Sequence, residues 1–563
     1  MNETYDFVVV GSGGGAFCAA LVLRAAGKSV LILEKTALLG GTTATSGGVL
    51  WIPNNRFMKA AGIADSADAA NAYLDAVVGD RPDQPGASRE RRRTYVDQAP
   101  RMIDFLCEQG VHLRRIPSWP DYYDVAGASV PGRAVVSELF DIKQLGDWAS
   151  KVRPGFLPLP ANLDEAMQLP LMKRSGAAKK VLLRILGRAI ADKFAGRKRT
   201  TAGQALQAQM VHAAVKAGVQ ICTQAPVRQL IVEGGRVTGV AVDADGALLR
   251  IGARLGVLLN AGGFARNQAL LDRHIPGTRA EWSSVIEADT GEMIEEGVRV
   301  GGATAQMATR IGMQVGLPPG HEKMAVKPGL QNDICKPHAI VVDQTGVRFA
   351  NEACSHAEFT HRMVERGATA SPSWMIFDRQ FLATYMLAGT MPGKKKPAAW
   401  TASKFLRQAD TLEALAADCG IDAARLRSTV DRFNGFVRDG RDADFRRGEA
   451  PYDRWTGDAL AAPPSNTLGA IDQGPYYAVP MVPGDVGTYG GLVTDTHARV
   501  LRPDGSVIPG LYATGTSTAS VMGALEPGPG GSIGPSFTWG YVAAKHALSR
   551  AVTSVPETAA AAA

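Results

Sequence analysis

Short unbroken apolar runs alternate along this chain with stretches whose apolar positions recur every three to four residues. The first run, Tyr5-Asp-Phe-Val-Val-Val10, reads as a strand buried on both faces, and Phe17 to Ala26 follows it with helical spacing. A second buried strand, Ser29 to Leu33, comes next, and Ala205 to Gly218 reads as a helix. Val227 to Val232 and Arg236 to Val242 read as a hairpin turning at Glu233-Gly-Gly235. Gly256 to Asn260 and Gly510 to Ala513 read as strands that each end in a glycine turn, and Phe537 to Leu548 reads as a late helix. Strands alternating with helices predict an α/β fold. Pro154 to Pro160 marks an irregular loop, and the tail Thr558 to Ala563 is expected to be disordered.

The join between the first strand and helix, Gly11-Ser-Gly13-Gly14-Gly15-Ala16, is G-x-G-x-x-A in the context such a turn needs. Gly11 permits the tight turn, Gly13 lets backbone approach a pyrophosphate, and small Ala16 lets helix and strand pack closely. Gly14 and Gly15 belong to the same expected cofactor turn. The second strand ends at Glu34, 23 residues after Gly11, where a carboxylate can accept both hydrogen bonds of an unphosphorylated ribose, and Lys35 follows. FAD rather than NAD is expected, because a second glycine and hydroxyl cluster runs from Gly40 to Gly48, with Gly41, Thr42, Thr43, Ser46, Gly47 and Gly48 offering donors to a pyrophosphate and flavin ring. The remaining expected contacts are Val227, the turn Ala261-Gly262-Gly263, Gly515, and Gly531-Ser532-Ile533 ahead of the late helix, whose N-terminus would stabilise an anionic reduced ring.

Composition changes this picture little. At 563 residues, 45% apolar and 20% charged, the chain has ordinary globular usage. Its six cysteines are widely spaced with no C-x-x-C pair, which argues against a disulfide framework or zinc site and for a cytoplasmic protein. No signal-peptide pattern opens the chain, and no run is long and apolar enough to span a membrane. The formal charge of +7 does not imply nucleic acid, because the excess is concentrated at Lys173 to Arg199, with ten basic residues against Asp192 alone. Val181, Leu182, Leu183, Ile185, Leu186, Ile190 and Phe194 recur there at helical spacing, so this is either a solvated surface helix or a peripheral contact with an anionic membrane.

Val8 to Gly48, Arg197 to Gly263, Gly346 to His356 and Gly474 to Leu548 resemble the flavoprotein superfamily of fumarate reductases and 3-ketosteroid dehydrogenases. Gly48-Val-Leu-Trp-Ile-Pro-Asn-Asn55, Trp119-Pro-Asp-Tyr-Tyr123, Met481 to Asp485 and Pro527 to Pro535 favour the ketosteroid branch. Gly40 to Gly48 contains no His of the kind through which covalent members attach flavin, so noncovalent FAD is implied, and no paired His and Arg motif for a dicarboxylate is evident. The resemblance implies a discontinuous Rossmann-like FAD-binding domain with an inserted α+β catalytic domain. Its segments would be 1–276 (variable insertion 126–199), 277–480 for the catalytic domain, and 481–563 for the last part of the FAD domain.

The chemistry implied is desaturation beside a ketone: a base takes the proton α to the carbonyl and the β-carbon delivers hydride to flavin N5. In the family the site is built from tyrosines and a glycine amide. Here Tyr122 or Tyr123 and Gly530 match that pattern, whereas His356 in Asn351-Glu-Ala-Cys-Ser-His356 and Glu526 in Glu526-Pro-Gly-Pro-Gly530 stand where tyrosines are usual. Glu526 or His356 can serve as base, and Tyr489 is a further candidate. A 3-ketosteroid Δ1- or Δ4-dehydrogenase is expected, with a desaturase of a smaller cyclic ketone such as cyclohexanone, or a non-catalytic membrane-peripheral or redox-sensing flavoprotein, as alternatives. The resemblance points to a quinone-like external electron acceptor.

Overall fold

The computed structural model describes residues 3–244, 246–324, 326–461 and 465–553; the expected disordered tail, Thr558 to Ala563, lies outside them. The apolar runs form the centre of an eight-stranded sheet. Its order is Arg499–Leu501, Val507–Ala513, Ala247–Leu259, Glu3–Val10, Val30–Leu33 and Gln220–Cys222, with a hairpin of Val227–Glu233 and Arg236–Ala244 added through Ala247–Leu259. The four pairings from Val507–Ala513 to Gln220–Cys222 are parallel. Parallel strands require helices on their faces, which is why Phe7, Val8, Val9 and Ile32 are fully buried. The hairpin turns on Gly234 and Gly235, both at positive φ, a conformation that two-residue hairpin loops demand.

Helices Gly14–Ala25, Arg89–Glu108, Ala202–Lys216 and Ile533–Thr553 cover one face with a single apolar core. Gly14 and Gly15 have no room for a side chain, because a Cβ would lie 1.7 Å from the Phe537 ring and 2.3 Å from the Ser536 carbonyl oxygen. The inserted domain is built on a five-stranded antiparallel sheet, ordered Arg310–Val315, Tyr476–Thr488, Ser373–Asp378 and Ala339–Val342, with Arg407–Ala409 also on Tyr476–Thr488.

Two of the expected boundaries shift. The long strand Tyr476–Thr488 pairs with Arg310–Val315 as far as Thr488, so a division at 480 falls inside one strand. Likewise Glu292–Arg299 belongs to the FAD-domain side of 277: Met293 sits in the core beneath the large sheet, and Glu296 accepts from the Leu230 amide at 2.5 Å. The expected insertion 126–199 is partly integrated as well, since Ala134–Ser137 pairs with both Leu50–Trp51 and Leu113–Arg115. The basic segment forms the helix Gly176–Phe194. No helix among the described residues is long and apolar enough to cross a membrane.

Candidate active site

One cavity of about 2010 Å³ opens beside the carboxyl ends of the parallel strands and runs to the inserted domain. Its walls include Gly11, Gly13, Glu34, Lys35, Gly41, Thr42, Thr43, Ser46, Gly47, Val227, Ala261, Gly262, Ser532 and Ile533, all expected at the cofactor. Their chemistry fits FAD. The helices Gly14–Ala25 and Ile533–Thr553 both begin beside this cavity, where their N-terminal dipoles favour an anionic group. At Gly41, φ +52°, a Cβ would meet nothing, so the backbone stands open to a ligand. Glu34 is buried and already held by Ser12 Oγ (2.5 Å) and the Thr36 amide (2.8 Å), which orients its remaining lone pairs. Lys35 is tied to Glu292 at 2.7 Å.

Gly14, Gly15, Ala16, Gly48, Gly263, Gly515 and Gly531 lie outside these walls. Gly14 and Gly15 serve helix packing, and the Ala16 amide donates to Asn260 Oδ1 at 3.1 Å. Gly48, φ +64°, crosses the Gly203 amide too closely for a side chain, and a Cβ on Gly263 would strike Thr488 Oγ1 at 2.1 Å. Asn260 went unrecognised as a site residue. It lines the cavity and its Nδ2 also donates to the Thr514 carbonyl (3.2 Å) and Ser536 Oγ (3.3 Å), joining two strand ends to a helix. An Asn at a strand end before Ala-Gly-Gly was its signal. Asp289 was also missed: it is buried at the cavity wall, Oδ1 has no hydrogen-bond partner among the described residues, and burial, reinforced by Asp485, pushes its carboxyl up to about 7.

At the domain junction the candidate catalytic side chains converge. The Tyr122 amide donates to the Pro527 carbonyl at 3.0 Å, the Tyr73 hydroxyl donates to the same oxygen, and the Tyr123 amide donates to Tyr73 Oη at 3.2 Å. The tyrosine loop is thereby pinned beside Glu526. His356 opens the helix His356–Glu365 behind its cap Ser355, and its Nδ1 donates to the Gly312 carbonyl at 2.7 Å. Its Nε2 then faces Glu526 Oε2 at 3.3 Å. The Tyr122 ring stands edge-on to the imidazole at 5.9 Å and packs on Tyr452 at 4.5 Å. Tyr123 Oη lies 3.3 Å from Ser355 Oγ.

Burial raises the Glu526 carboxyl, opposed by His356 and by the Gly531 amide. Burial also holds the Tyr122, Tyr489 and Tyr452 hydroxyls well above the usual tyrosine value, with Glu526 adding to each. The Tyr489 hydroxyl is buried without a hydrogen-bond partner among the described residues. Gly530, φ +89°, carries its carbonyl to the Trp51 amide (3.1 Å) and leaves no space for a Cβ beside Val49. Of this group His356 reaches the large cavity directly; Tyr122, Tyr123, Tyr489, Glu526 and Gly530 lie behind it. Tyr452 was not anticipated, because it arrives on the short helix Pro451–Thr456 of the inserted domain.

The dinucleotide cradle, with a cluster of buried ionisable side chains at its far end, fits a flavin-dependent oxidoreductase. Residues 6–533 match the FAD binding domain family. The chain is 38% identical to a 3-oxosteroid 1-dehydrogenase of Mycolicibacterium smegmatis, over 98% of this chain and 99% of the relative. It is 35% identical to a 4-oxocyclohexanecarboxylate 2-dehydrogenase of Sinomonas cyclohexanicum, over 97% and 93%. A crystal structure of 3-ketosteroid delta1-dehydrogenase from Sterolibacterium denitrificans in complex with 1,4-androstadiene-3,17-dione superposes with a TM-score of 0.91 at 37% identity, covering 98% of this chain and 100% of that one. The chain belongs to the FAD-dependent 3-ketosteroid dehydrogenase family, and its cofactor is FAD.

Proposed function

We propose that this protein desaturates a 3-ketosteroid beside its carbonyl, at the Δ1 or Δ4 position, and passes the electrons to a quinone-like acceptor. The observation that carries this reading is the cavity. At about 2010 Å³ it is twice the upper end of the ~300–1,000 Å³ that drug-sized ligands occupy, room for a noncovalently held dinucleotide and a rigid polycyclic ketone side by side. The substrates named for the steroid relatives support the choice of ketone.

Bound FAD supplies the acceptor for the β-hydride. His356 supplies the base: with Nδ1–H committed to Gly312, its Nε2 lone pair is available for the α-proton, and the Glu526 carboxylate beside it stabilises the imidazolium that forms. For the ketone ring to react, it passes His356 into the chamber behind it, where the Tyr122 hydroxyl and the Gly530 amide donate to the developing enolate oxygen and Tyr123 and Tyr489 close the walls. Keeping these groups buried excludes water from the carbanion-like centre. The concentration of basic residues at 173–199 supports a peripheral contact with an anionic membrane surface.

A desaturase of a smaller cyclic ketone is the second reading, favoured by His356 and Glu526 at positions where the steroid enzymes carry tyrosines and by the 4-oxocyclohexanecarboxylate relative. Anaerobic bleaching of the flavin absorbance decides between them. Bleaching by a saturated 3-ketosteroid is expected; bleaching by cyclohexanone alone would transfer the assignment to the smaller ketone, and none by either would remove the proposed activity.

A further inference from the structure

We infer that Asp333 is a specificity-determining residue: from the wall of the large cavity it hydrogen-bonds a neutral oxygen, ketone or hydroxyl, at the end of the substrate remote from the reacting carbonyl. The class of substrate rests on the proposed ketone reading; the polar anchor at this wall does not.

Asp333 lies on the short helix Gln331–Ile334, lines the cavity and is only 5% exposed. Its Oδ2 accepts from the Ala388 amide at 2.7 Å. Ala388 sits in the turn closed between Leu387 and Thr390 and holds a left-handed φ of +45°, so the carboxyl is clamped by a tightly folded loop. Oδ1 has no hydrogen-bond partner among the described residues and is left to whatever fills the cavity. The cations acting on the acid are Lys336 and Lys396, and neither closes an ion pair with it among the described residues. Lys336 Nζ donates to the Thr456 and Gly457 carbonyls, and Lys396 Nζ to the Thr390 carbonyl at 3.4 Å. Burial outweighs the Ala388 amide and both cations and raises the carboxyl to about 7, so the acid keeps a proton to donate up to neutral pH. On the same helix Gln331 also lines the cavity, and its Oε1 is a second buried oxygen without a partner among the described residues.

One strand sets this acid against His356. The Gly312 carbonyl of Arg310–Val315 holds the imidazole, and Gln314, two residues and about 6.6 Å further along, accepts from the Leu330 amide at 2.8 Å. Asp333 follows Leu330 by three residues, its own amide donating to the Leu330 carbonyl at 2.9 Å. Ile311 and Met313 of the strand, and Pro328 whose carbonyl accepts from the Gly316 amide, are apolar cavity walls. The cavity thus offers a base at one point, apolar wall along the strand, and a buried acid at another. A single ring held at His356 leaves Asp333 unsatisfied; a fused-ring ketone with an oxygen on its far ring satisfies both.

The test is equilibrium binding to the FAD-loaded full chain, read from perturbation of the flavin absorbance. The probes are 1,4-androstadiene-3,17-dione and its 17-deoxy counterpart 1,4-androstadien-3-one, which already carry both double bonds. They share the ring that meets His356, so groups at that end cancel from the ratio of their Kd values. At pH 6 the wild type should bind the dione about 3- to 10-fold tighter, the span of one neutral hydrogen bond. At pH 9, with the acid ionised and repelling the carbonyl oxygen, that preference should be gone. Asp333→Asn keeps an acceptor for Ala388 and presents an amide donor that does not titrate, so its preference should persist from pH 6 to pH 9. Asp333→Leu should lose the preference at every pH while binding the deoxy steroid as the wild type does. A wild-type ratio near one, a ratio that Asp333→Leu leaves in place, or an Asn variant that still loses its preference at pH 9 would overturn the role. If the ratio is as expected but no saturated ketosteroid bleaches the flavin, Asp333 stands and the desaturation falls. Bleaching with a ratio near one does the reverse, and failure of both dienones to bind overturns both.

Discussion

His356 Nε2 faces Glu526 Oε2 at 3.3 Å, with the other imidazole nitrogen committed to the Gly312 carbonyl. Glu526 is buried and its Oε2 has no hydrogen-bond partner among the described residues, so it stands ready to accept the N–H that Nε2 gains when the imidazole takes a proton.

Replacing Glu526 by Gln leaves the imidazolium unstabilised without changing the shape of the chamber. Turnover should fall by roughly 10²- to 10⁴-fold, the span of positioned acid–base catalysis, with the flavin-to-protein ratio unchanged because Glu526 does not line the cofactor walls. Steady-state kcat with the flavin spectrum checks both. Burial raises the folded pKa, so the native state binds a proton that the unfolded chain has released, and stability falls as pH rises through the folded value. The Gln variant lacks that loss and should melt at or above the wild-type temperature at neutral pH.

His356→Tyr restores the family residue and replaces the imidazole by a phenol, which releases its proton only at alkaline pH. The neighbouring tyrosines are all pushed up by burial, and the new hydroxyl enters the same surroundings. The acidic limb of the rate profile should move toward alkaline pH, with little activity left at neutrality. An unchanged profile in stopped-flow flavin reduction would take the base role away from His356.

Asp289 gives a pH signature at the cofactor. Burial raises its carboxyl to about 7, so between the unfolded value and that point the folded chain holds a proton the unfolded chain does not. Stability should be greatest below the unfolded pKa and fall as pH rises to 7 and beyond. Asp289→Asn keeps a neutral group there, so the variant should gain on the wild type as pH rises from 5 to 8. Melting curves across that range, at matched FAD content, measure the difference.

The glycine turn, the acid at Glu34 and the hydroxyl-rich cluster were legible because each requirement falls on consecutive positions of one short segment. What that reading missed depends on partners distant in the chain. Gly14 and Gly15 must be bare because Phe537 and Ser536 press on them. Asn260 matters for the three elements it joins, and Tyr452 for the tyrosine it meets from another domain. The domain boundaries slipped for a related reason: Tyr476–Thr488 continues past 480 because strand pairing, not composition, decides where a sheet ends. The replacement of two tyrosines by His356 and Glu526 was visible in the motifs, but their mutual approach was not.

Trp119 and Trp455 stack across the two domains, ring centroids 4.7 Å apart and 20° from parallel, and both line the cavity. Such a pair contributes about 0.5–1.5 kcal/mol beyond its buried area. Since neither ring touches the His356–Glu526 pair, Trp455→Ala should loosen the wall around a polycyclic substrate without disturbing proton transfer. KM for a 3-ketosteroid should rise about 2- to 10-fold, the equivalent of that stacking energy, with kcat nearly unchanged, the pattern of lost uniform binding. A small cyclic ketone, too short to span to these rings, should show no change. Trp119→Ala combined with Trp455→Ala should cost little more than either alone, because one contact cannot be lost twice. A double variant whose losses simply add would show that the two rings act on the substrate independently and not as a stacked wall.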